Sequence, residues 1–236
     1  MIESIPGSAH PMEVIRTIIS FMGVVEPEES FDDQLQVAKR LMSVTTTAIV
    51  YWYSFSKTGK RIEQVSNEKS LAAHFLSLLR QEDIPELHIK TLDVSLTLYA
   101  EHEFNASTFT GRVCASTLSD LHSCLTAAVG SLRGPLHGGA NEEAMKMLEE
   151  IKSVEEVKGF VDQKFDNKEK IMGFGHAVYS IKDPTSNIIK EYSKKLSTGH
   201  EKKLLHDAAT EMEAYMWEKK KLFPNTDFFH APAYHY

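Results

Sequence analysis

Apolar residues recur every three or four positions along most of the chain, which is the spacing of one face of an α-helix. Near the N-terminus such a face is formed by Ile15, Ile18, Ile19 and Met22. Pro11 suits the first turn of this helix, and Gly23 suits its end. Further helices are predicted after Asp183-Pro184 and over residues 205–216. The pattern therefore indicates an almost entirely α-helical protein.

Two stretches depart from simple amphipathic helices. AIVYWYSF, at residues 48–55, is the best strand candidate, although it could equally continue a helix that begins near Phe31. From Gly111 to Arg133 small residues are spread around the whole helical circumference with few charges, which predicts one helix packed on most sides. We expect that helix at the centre of the molecule or in a subunit interface.

Composition limits the class of protein. The chain has 236 residues, of which 42% are hydrophobic, which allows one large domain or two smaller ones. Lys and Arg total 26 against 33 Asp and Glu, a formal charge of -7, so nucleic acid and anionic membranes are not expected partners. Small molecules and other proteins are the expected partners.

Cysteine usage and the N-terminus favour a cytoplasmic protein. Cys114 and Cys124 are too few for a disulfide framework and are expected to be reduced and buried. The N-terminal residues lack a basic segment followed by an apolar run, so no secretory signal is expected. The longest low-charge stretch, 113–132, is too polar to predict a membrane span.

RGPLHGGANEE places His137 among glycines that allow sharp turns. Asn141 is the expected cap of a following helix, with Glu142 and Glu143 in its first turn. The positive end of that helix dipole disfavours imidazolium, so His137 should be a neutral ring that donates one hydrogen bond. The alternative is a loop histidine bonded to nearby backbone.

GFGHAVY contains His176 after Gly173 and Gly175. It lacks the third glycine of a dinucleotide loop and no strand precedes it, so nicotinamide binding is not expected. The two glycines could bring backbone close to a ligand, with Lys170 available to meet a phosphate. A structural role for His176 is the alternative.

LFPNTDFF places Asp227 before Phe228 and Phe229. The residue could be a helix-capping aspartate, or a carboxylate whose apolar neighbours raise its pKa and suit it to general-base catalysis. A carboxylate base with two histidines fits proton abstraction beside a carbonyl. No metal site is expected, because the spacings of His122 with Cys124 and of His230 with His235 do not assemble a tetrahedral ligand set.

Four stretches resemble the citrate synthase family in order and spacing: YAEHEFNASTF (99–109), GPLHGGANE (134–142), KIMGFGHAVY (170–179) and FPNTDFF (223–229). The sequence around these motifs resembles the 2-methylcitrate synthase branch of the family. The resemblance implies an acyltransferase that condenses propionyl-CoA, or acetyl-CoA, with oxaloacetate through an enol or enolate. Acyl-CoA would be a co-substrate, and no tightly bound cofactor is implied.

The resemblance also implies site residues. Asp227 would remove the α-proton, His137 would stabilise the enolate oxygen, and His176 would polarise the oxaloacetate ketone. His102 and the position of Thr185 would bind oxaloacetate. Contacts to CoA would come from Lys170, Ile171, Met172, Gly173 and Phe174.

The implied fold is an all-α homodimer with a large helical domain over 1–137, a small one over 138–223 and a return to the large domain over 224–236. The helix over 111–133 would lie at the dimer interface. Compared with the family pattern, the chain is shorter at both ends and lacks two downstream arginines, and Thr185 stands where the family has an arginine. The alternative function is therefore a non-catalytic remnant that dimerises and binds CoA.

Overall fold

The computed structural model describes residues 1–100, 104–134, 137–175 and 183–236. These ranges form eleven α-helices and short 3-10 turns, and they contain no β-strand beyond an isolated bridge between Phe174 and Pro224. The predicted all-α class is confirmed. None of the described helices combines the length and the apolar character that crossing a bilayer requires.

The chain divides into two compact units. The first contains Met1–Ile89 and Glu101–His137, and the second contains Lys90–Ala100 and Gly138–Tyr236. The predicted domain limits of 1–137, 138–223 and 224–236 stay a prediction.

The helices begin and end as follows: α1 Pro11–Val25, α2 Gln34–Thr58, α3 Leu71–Arg80, α4 Glu86–Tyr99, α5 Ala106–Ala115, α6 Leu121–Leu132, α7 Ala140–Glu149, α8 Val157–Asp166, α9 Pro184–Ser197, α10 Leu204–Lys220 and α11 Thr226–His235. The helices predicted after Asp183-Pro184 and over 205–216 correspond to α9 and α10. The ambiguous stretch 48–55 lies inside α2, so its helical alternative is correct.

Helices α1 and α2 supply a buried cluster in the first unit, formed by Val14, Ile18, Ala48 and Trp52. The prediction that Gly23 ends α1 is wrong, because the helix continues to Val25. A Cβ built on Gly23 would lie 2.9 Å from Cβ of His122. The glycine therefore allows α1 to approach α6 closely.

The prediction of one helix over 111–133 is also wrong. The chain turns between α5 and α6, where Leu118 has a φ of 63° and the Asp120 side chain accepts a hydrogen bond from the Ser123 N–H at 2.9 Å. Helix α5 has no buried residue, and Phe109 and Val113 are 59% and 52% exposed. Helix α5 is therefore not packed on most sides within the described residues, and its expected place in a subunit interface stays a prediction.

Helix α11 forms the core of the second unit. It packs against α7, α9 and α10, and the side chains of Phe228 and Phe229 are completely buried. Lys190 of α9 pairs with Glu213 of α10 and places its ammonium 5.0 Å from the centre of the Phe229 ring. The first residues of α11 are therefore carried by the best-packed helix of this unit.

The close approach of α1 and α6 gives a test of the fold. Gly23→Ala should lower the free energy of unfolding by about 1–2 kcal/mol, because overpacking against His122 outweighs the higher helix propensity of alanine. Gly159→Ala is the control, since among the described residues nothing lies within 4 Å of its added Cβ, and it should stabilise by about 0.5–1 kcal/mol. Urea unfolding measures both. Equal stabilisation by the two substitutions would contradict the close approach.

Candidate active site

Asp227 lies in the first turn of α11. Asn225 is the residue that caps this helix, since its Oδ1 accepts a hydrogen bond from the Asp227 N–H at 3.1 Å. The alternative in which Asp227 is the cap is therefore wrong. A carboxylate in the first helical turn interacts favourably with the positive end of the helix dipole.

Two further residues of the second unit hold Asp227. The Tyr99 hydroxyl donates a hydrogen bond to Oδ1 of Asp227 at 2.6 Å. Nδ2 of Asn141 donates to the carbonyl oxygen of Asp227 at 2.9 Å.

The prediction that Asn141 caps α7 is wrong, because Gly139 precedes the helix and Asn141 lies within its first turn, as do the predicted Glu142 and Glu143. The amide therefore connects α7 with α11.

The segment 173–175 is attached to the start of α11. Asn225 donates from its backbone N–H to Gly173 at 2.9 Å and from its side chain to the carbonyl of Gly175 at 3.2 Å. Gly173 has a φ of 81°, and a Cβ on it would lie 2.8 Å from Cβ of Phe228. Glycine is required here by both the backbone conformation and the contact with α11.

The residues predicted to contact CoA precede and include this segment. Lys170 is exposed, whereas Ile171 and Gly173 are buried. The ring of Phe174 packs on Phe228 with 4.5 Å between ring centres. Lys170 thus offers a cation at the surface beside a well-packed backbone segment, and its contact with CoA stays a prediction.

Thr185 is hydrogen-bonded to the side chain of Asp183. Its hydroxyl and its backbone N–H both donate to Oδ1 of Asp183, at 2.6 Å and 2.9 Å. Oδ2 of Asp183 accepts from the Thr226 N–H at 3.0 Å, and Asp183 is only 3% exposed. One buried carboxylate therefore satisfies N-terminal donors of both α9 and α11.

His137 is described in the first unit. Its Nε2 accepts a hydrogen bond from the Ser107 backbone N–H at 3.2 Å and lies 2.9 Å from the Ser107 hydroxyl oxygen, whose proton is donated to Oδ1 of Asn105 at 2.8 Å. Because a backbone N–H can only donate, Nε2 carries no proton and Nδ1 is the donor of the neutral ring. A ring in this state is compatible with the expected neutral donor, and the role of His137 stays a prediction. It also matches the alternative of a histidine bonded to backbone, although Ser107 is distant in sequence.

The structure brings Lys170–Phe174, Thr185 and Asp227 together in the second unit through bonds around the start of α11. His102 and His176 lie outside the described residues. Sequence reasoning missed the contact of Tyr99 with Asp227, although Tyr99 begins the quoted stretch YAEHEFN. The spacing of that stretch carries no signal for this contact, since the two residues are far apart in the chain.

His230 follows Asp227 by one helical turn and is completely buried. Burial lowers the pKa of His230 to about 4, although a hydrogen bond to the Thr226 carbonyl and the charge of Asp183 oppose the shift. Its Nε2 has no hydrogen-bond partner in the described part of the chain. The ring is therefore neutral near pH 7 and places no positive charge beside Asp227.

The described ranges contain no group of three or more His, Cys, Asp or Glu side chains arranged to hold a metal ion. The polar groups at the start of α11 include the Asp227 and Asp183 carboxylates and the Tyr99 hydroxyl. A carboxylate with fixed main chain and a hydroxyl donor is a candidate base.

The whole chain, residues 1–236, matches the sequence model described as citrate synthase, C-terminal domain. The chain belongs to the citrate synthase family. A 2-methylcitrate synthase of Shewanella oneidensis is 53% identical over 236 residues, which cover 100% of this chain and 63% of that protein. Citrate synthase 2 of Bacillus subtilis is 40% identical over 232 residues, covering 97% of this chain and 62% of that protein.

Solved citrate synthases share the fold. The ternary complex of carboxymethyl coenzyme A and oxaloacetate with citrate synthase from Thermoplasma acidophilum has a TM-score of 0.88 and 31% identity, covering 99% of this chain and 63% of that one. Citrate synthase from Thermotoga maritima gives a TM-score of 0.83 at 33% identity, covering 99% of this chain and 62% of that one. The predicted family is confirmed, and the chain spans slightly less than two thirds of these relatives.

The lowered pKa of His230 should make the free energy of unfolding of this citrate synthase family member depend on pH. The folded pKa of about 4 lies below the usual value of 6.5, so the stabilisation by the neutral ring is complete above pH 6.5 and is lost as the pH falls towards 4. Over that range the loss is about 3 kcal/mol. Urea unfolding at pH 7 and at pH 4 should show a loss that is smaller by this amount in His230→Gln.

His200→Gln is the control for this measurement. His200 is a partly exposed histidine of the same unit, so His200→Gln tests whether the loss of any histidine has the same effect as His230→Gln. An identical loss of stability in the parent chain and in His230→Gln would contradict the buried neutral ring.

Proposed function

We propose that this chain carries an acyl-CoA condensation: propionyl-CoA, or acetyl-CoA, joins oxaloacetate to give 2-methylcitrate, or citrate, and CoA. The observation that carries the proposal is the Asp227 carboxylate, which the Tyr99 hydroxyl contacts while Asn225 and Asn141 fix its backbone. The names of the relatives support the reaction class. The 53% identity to a 2-methylcitrate synthase favours propionyl-CoA.

In the proposed first step Asp227 takes a proton from the α-carbon of the thioester. The C–H electron pair becomes the carbon–carbon double bond of an enolate, and negative charge develops on the thioester oxygen. The Nδ1–H of neutral His137 would donate to that oxygen. Such a donor, aimed at developing charge, stabilises the transition state more than the ground state and thereby lowers the barrier.

In the second step the enolate carbon attacks the ketone carbon of oxaloacetate. His176 would polarise the ketone and protonate the alkoxide that the new carbon–carbon bond creates, and His102 would help to bind oxaloacetate. Water then cleaves the thioester, which releases CoA. The backbone of 170–174 would contact CoA, with Lys170 facing a phosphate.

A second candidate, a non-catalytic chain that retains CoA binding, is favoured by Thr185. The threonine adds no positive charge where the family has an arginine, and its hydroxyl is already bonded to Asp183. A dianionic keto acid would lose one charged contact there, which costs about 2–5 kcal/mol when the partner group is desolvated.

We also propose that the chain forms a homodimer through α5. Phe109 and Val113 are one helical turn apart, and both are more than half exposed. Phe104 and Leu118, which flank α5, are also exposed. An apolar stripe of this kind on a helix without buried residues is typical of an interface.

Asp227→Asn should reduce CoA release from propionyl-CoA and oxaloacetate by about 1,000-fold, because an amide cannot accept the proton. A thiol assay on the chain measures this loss. The control is Asp162→Asn, which alters a partly exposed aspartate bonded to Tyr215 and Lys219 and should leave the rate unchanged.

Equal rates for the parent and Asp227→Asn would contradict the proposed base. A parent chain that binds CoA in calorimetry but binds no oxaloacetate and releases no thiol would instead establish the second candidate.

Sedimentation should give twice the monomer mass for the parent chain, and Val113→Glu should sediment as a monomer because it places a charge in the proposed interface. Ile188→Glu, on the partly exposed surface of α9, should remain dimeric. A dimeric Val113→Glu chain would contradict this interface.

A further inference from the structure

We infer that Tyr99 is a positioning residue for the proposed reaction, which orients Asp227 and holds it as a carboxylate by donating its hydroxyl to Oδ1. The inference rests on the proposed function for its catalytic meaning. The contact itself is a geometric feature of the second unit, with 2.6 Å between the two oxygens.

The backbone of Asp227 is already fixed on both sides. Its N–H is bonded to Asn225 and its carbonyl to Asn141, at 3.1 Å and 2.9 Å. The Tyr99 hydroxyl adds a contact on the side chain itself, which restricts rotation of the carboxylate. A carboxylate has about four lone-pair sites, so a bond at Oδ1 leaves the group able to accept a proton.

Tyr99 is itself held by packing. It lies in the last turn of α4, and its ring contacts the buried ring of His230 with 4.5 Å between ring centres. One turn earlier on α4 the Ser95 hydroxyl is bonded to the hydroxyl of Tyr234. Two hydroxyl contacts and a ring contact therefore place α4 against α11, which keeps the Tyr99 oxygen at a defined position.

The protonation states agree with this role. Burial raises the pKa of Tyr99 well above its usual value, and the nearby charge of Asp227 raises it further, even though 41% of the residue is exposed. The phenol is therefore protonated near neutral pH and can donate its hydrogen. A hydrogen bond to a carboxylate favours the charged form over the protonated one.

Helix α11 and the elements packed against it carry other titratable groups, and the test must leave them unchanged. They are His230 and Tyr234 on α11, Asp183 before α9, Lys190 on α9, Glu142, Glu143 and Lys146 on α7, and His206 and Glu213 on α10. Tyr99→Phe removes one hydroxyl and changes none of these groups. A change in the titration of Asp227 then reports the lost contact.

The direct experiment follows the side-chain carboxyl carbon of Asp227 by NMR in ¹³C-labelled protein, with the signal assigned from its absence in Asp227→Asn. In Tyr99→Phe the titration midpoint should rise by about one pH unit relative to the parent, because the charged form loses its donor. In an active chain the acidic limb of kcat/KM should move by the same amount. We expect kcat to fall about 10-fold and the KM for oxaloacetate to stay within about twofold.

Tyr215→Phe is a matched control, since it removes another tyrosine hydroxyl bonded to an aspartate, Asp162, in the same unit. It should leave the Asp227 midpoint unchanged. An unchanged or lower midpoint in Tyr99→Phe, or an equal rise in Tyr215→Phe, overturns the inference.

A second substitution tests the inference in case Tyr99→Phe does not fold. Replacement of Tyr99 by 3-fluorotyrosine keeps the ring and the hydroxyl but makes the phenol a stronger donor, so the Asp227 midpoint should fall below that of the parent. A rise or no change would overturn the inference. A parent chain that releases no CoA counts against the proposed function alone, because the carboxyl titration requires no turnover.

Discussion

The anchoring of the first turn of α11 is the constraint on which the proposed site depends. Buried Asp183 accepts from the N-termini of both α9 and α11, and Asn225 bonds to the Gly173 and Gly175 backbone. Gly173 lies so close to Phe228 that no larger residue fits. The proposed CoA segment, the Thr185 turn and the Asp227 carboxylate are consequently held by one set of contacts.

These polar contacts fix the position of the first turn of α11 and add little to the free energy of unfolding. A typical intramolecular hydrogen bond adds only about 1 kcal/mol to the free energy of unfolding. Burial of Phe228 and Phe229 against α7, α9 and α10 supplies the larger driving force. The polar groups then select one orientation of a helix that apolar packing has already placed, which suits a site whose base must meet a specific carbon atom.

The sequence predicted what local rules determine. Periodicity gave the all-α class and the helices α9 and α10, and Asp183-Pro184 marked a helix start through its own cap. The sequence did not predict that Gly23 serves a helix contact, nor the division between α5 and α6. Both errors arise because the deciding contact or backbone angle is not visible in apolar periodicity.

The candidate site also combines features that the local sequence predicts with features that depend on tertiary contacts. Motif resemblance led to the prediction of Asp227 and His137 as site residues, but their partners Tyr99, Asn141 and Ser107 come from distant parts of the chain and depend on tertiary packing. Asn141 was predicted as a cap from its local position, whereas a non-local carbonyl is its partner. Polar contacts of this kind follow from the fold and cannot be deduced from spacing alone.

The most direct test of the central claim is exchange of the α-hydrogens of propionyl-CoA with solvent deuterium, measured by NMR in the presence of the chain. The expected result is deuterium incorporation by the parent chain and its loss in Asp227→Asn. Equal incorporation by both chains would contradict Asp227 as the group that removes the proton.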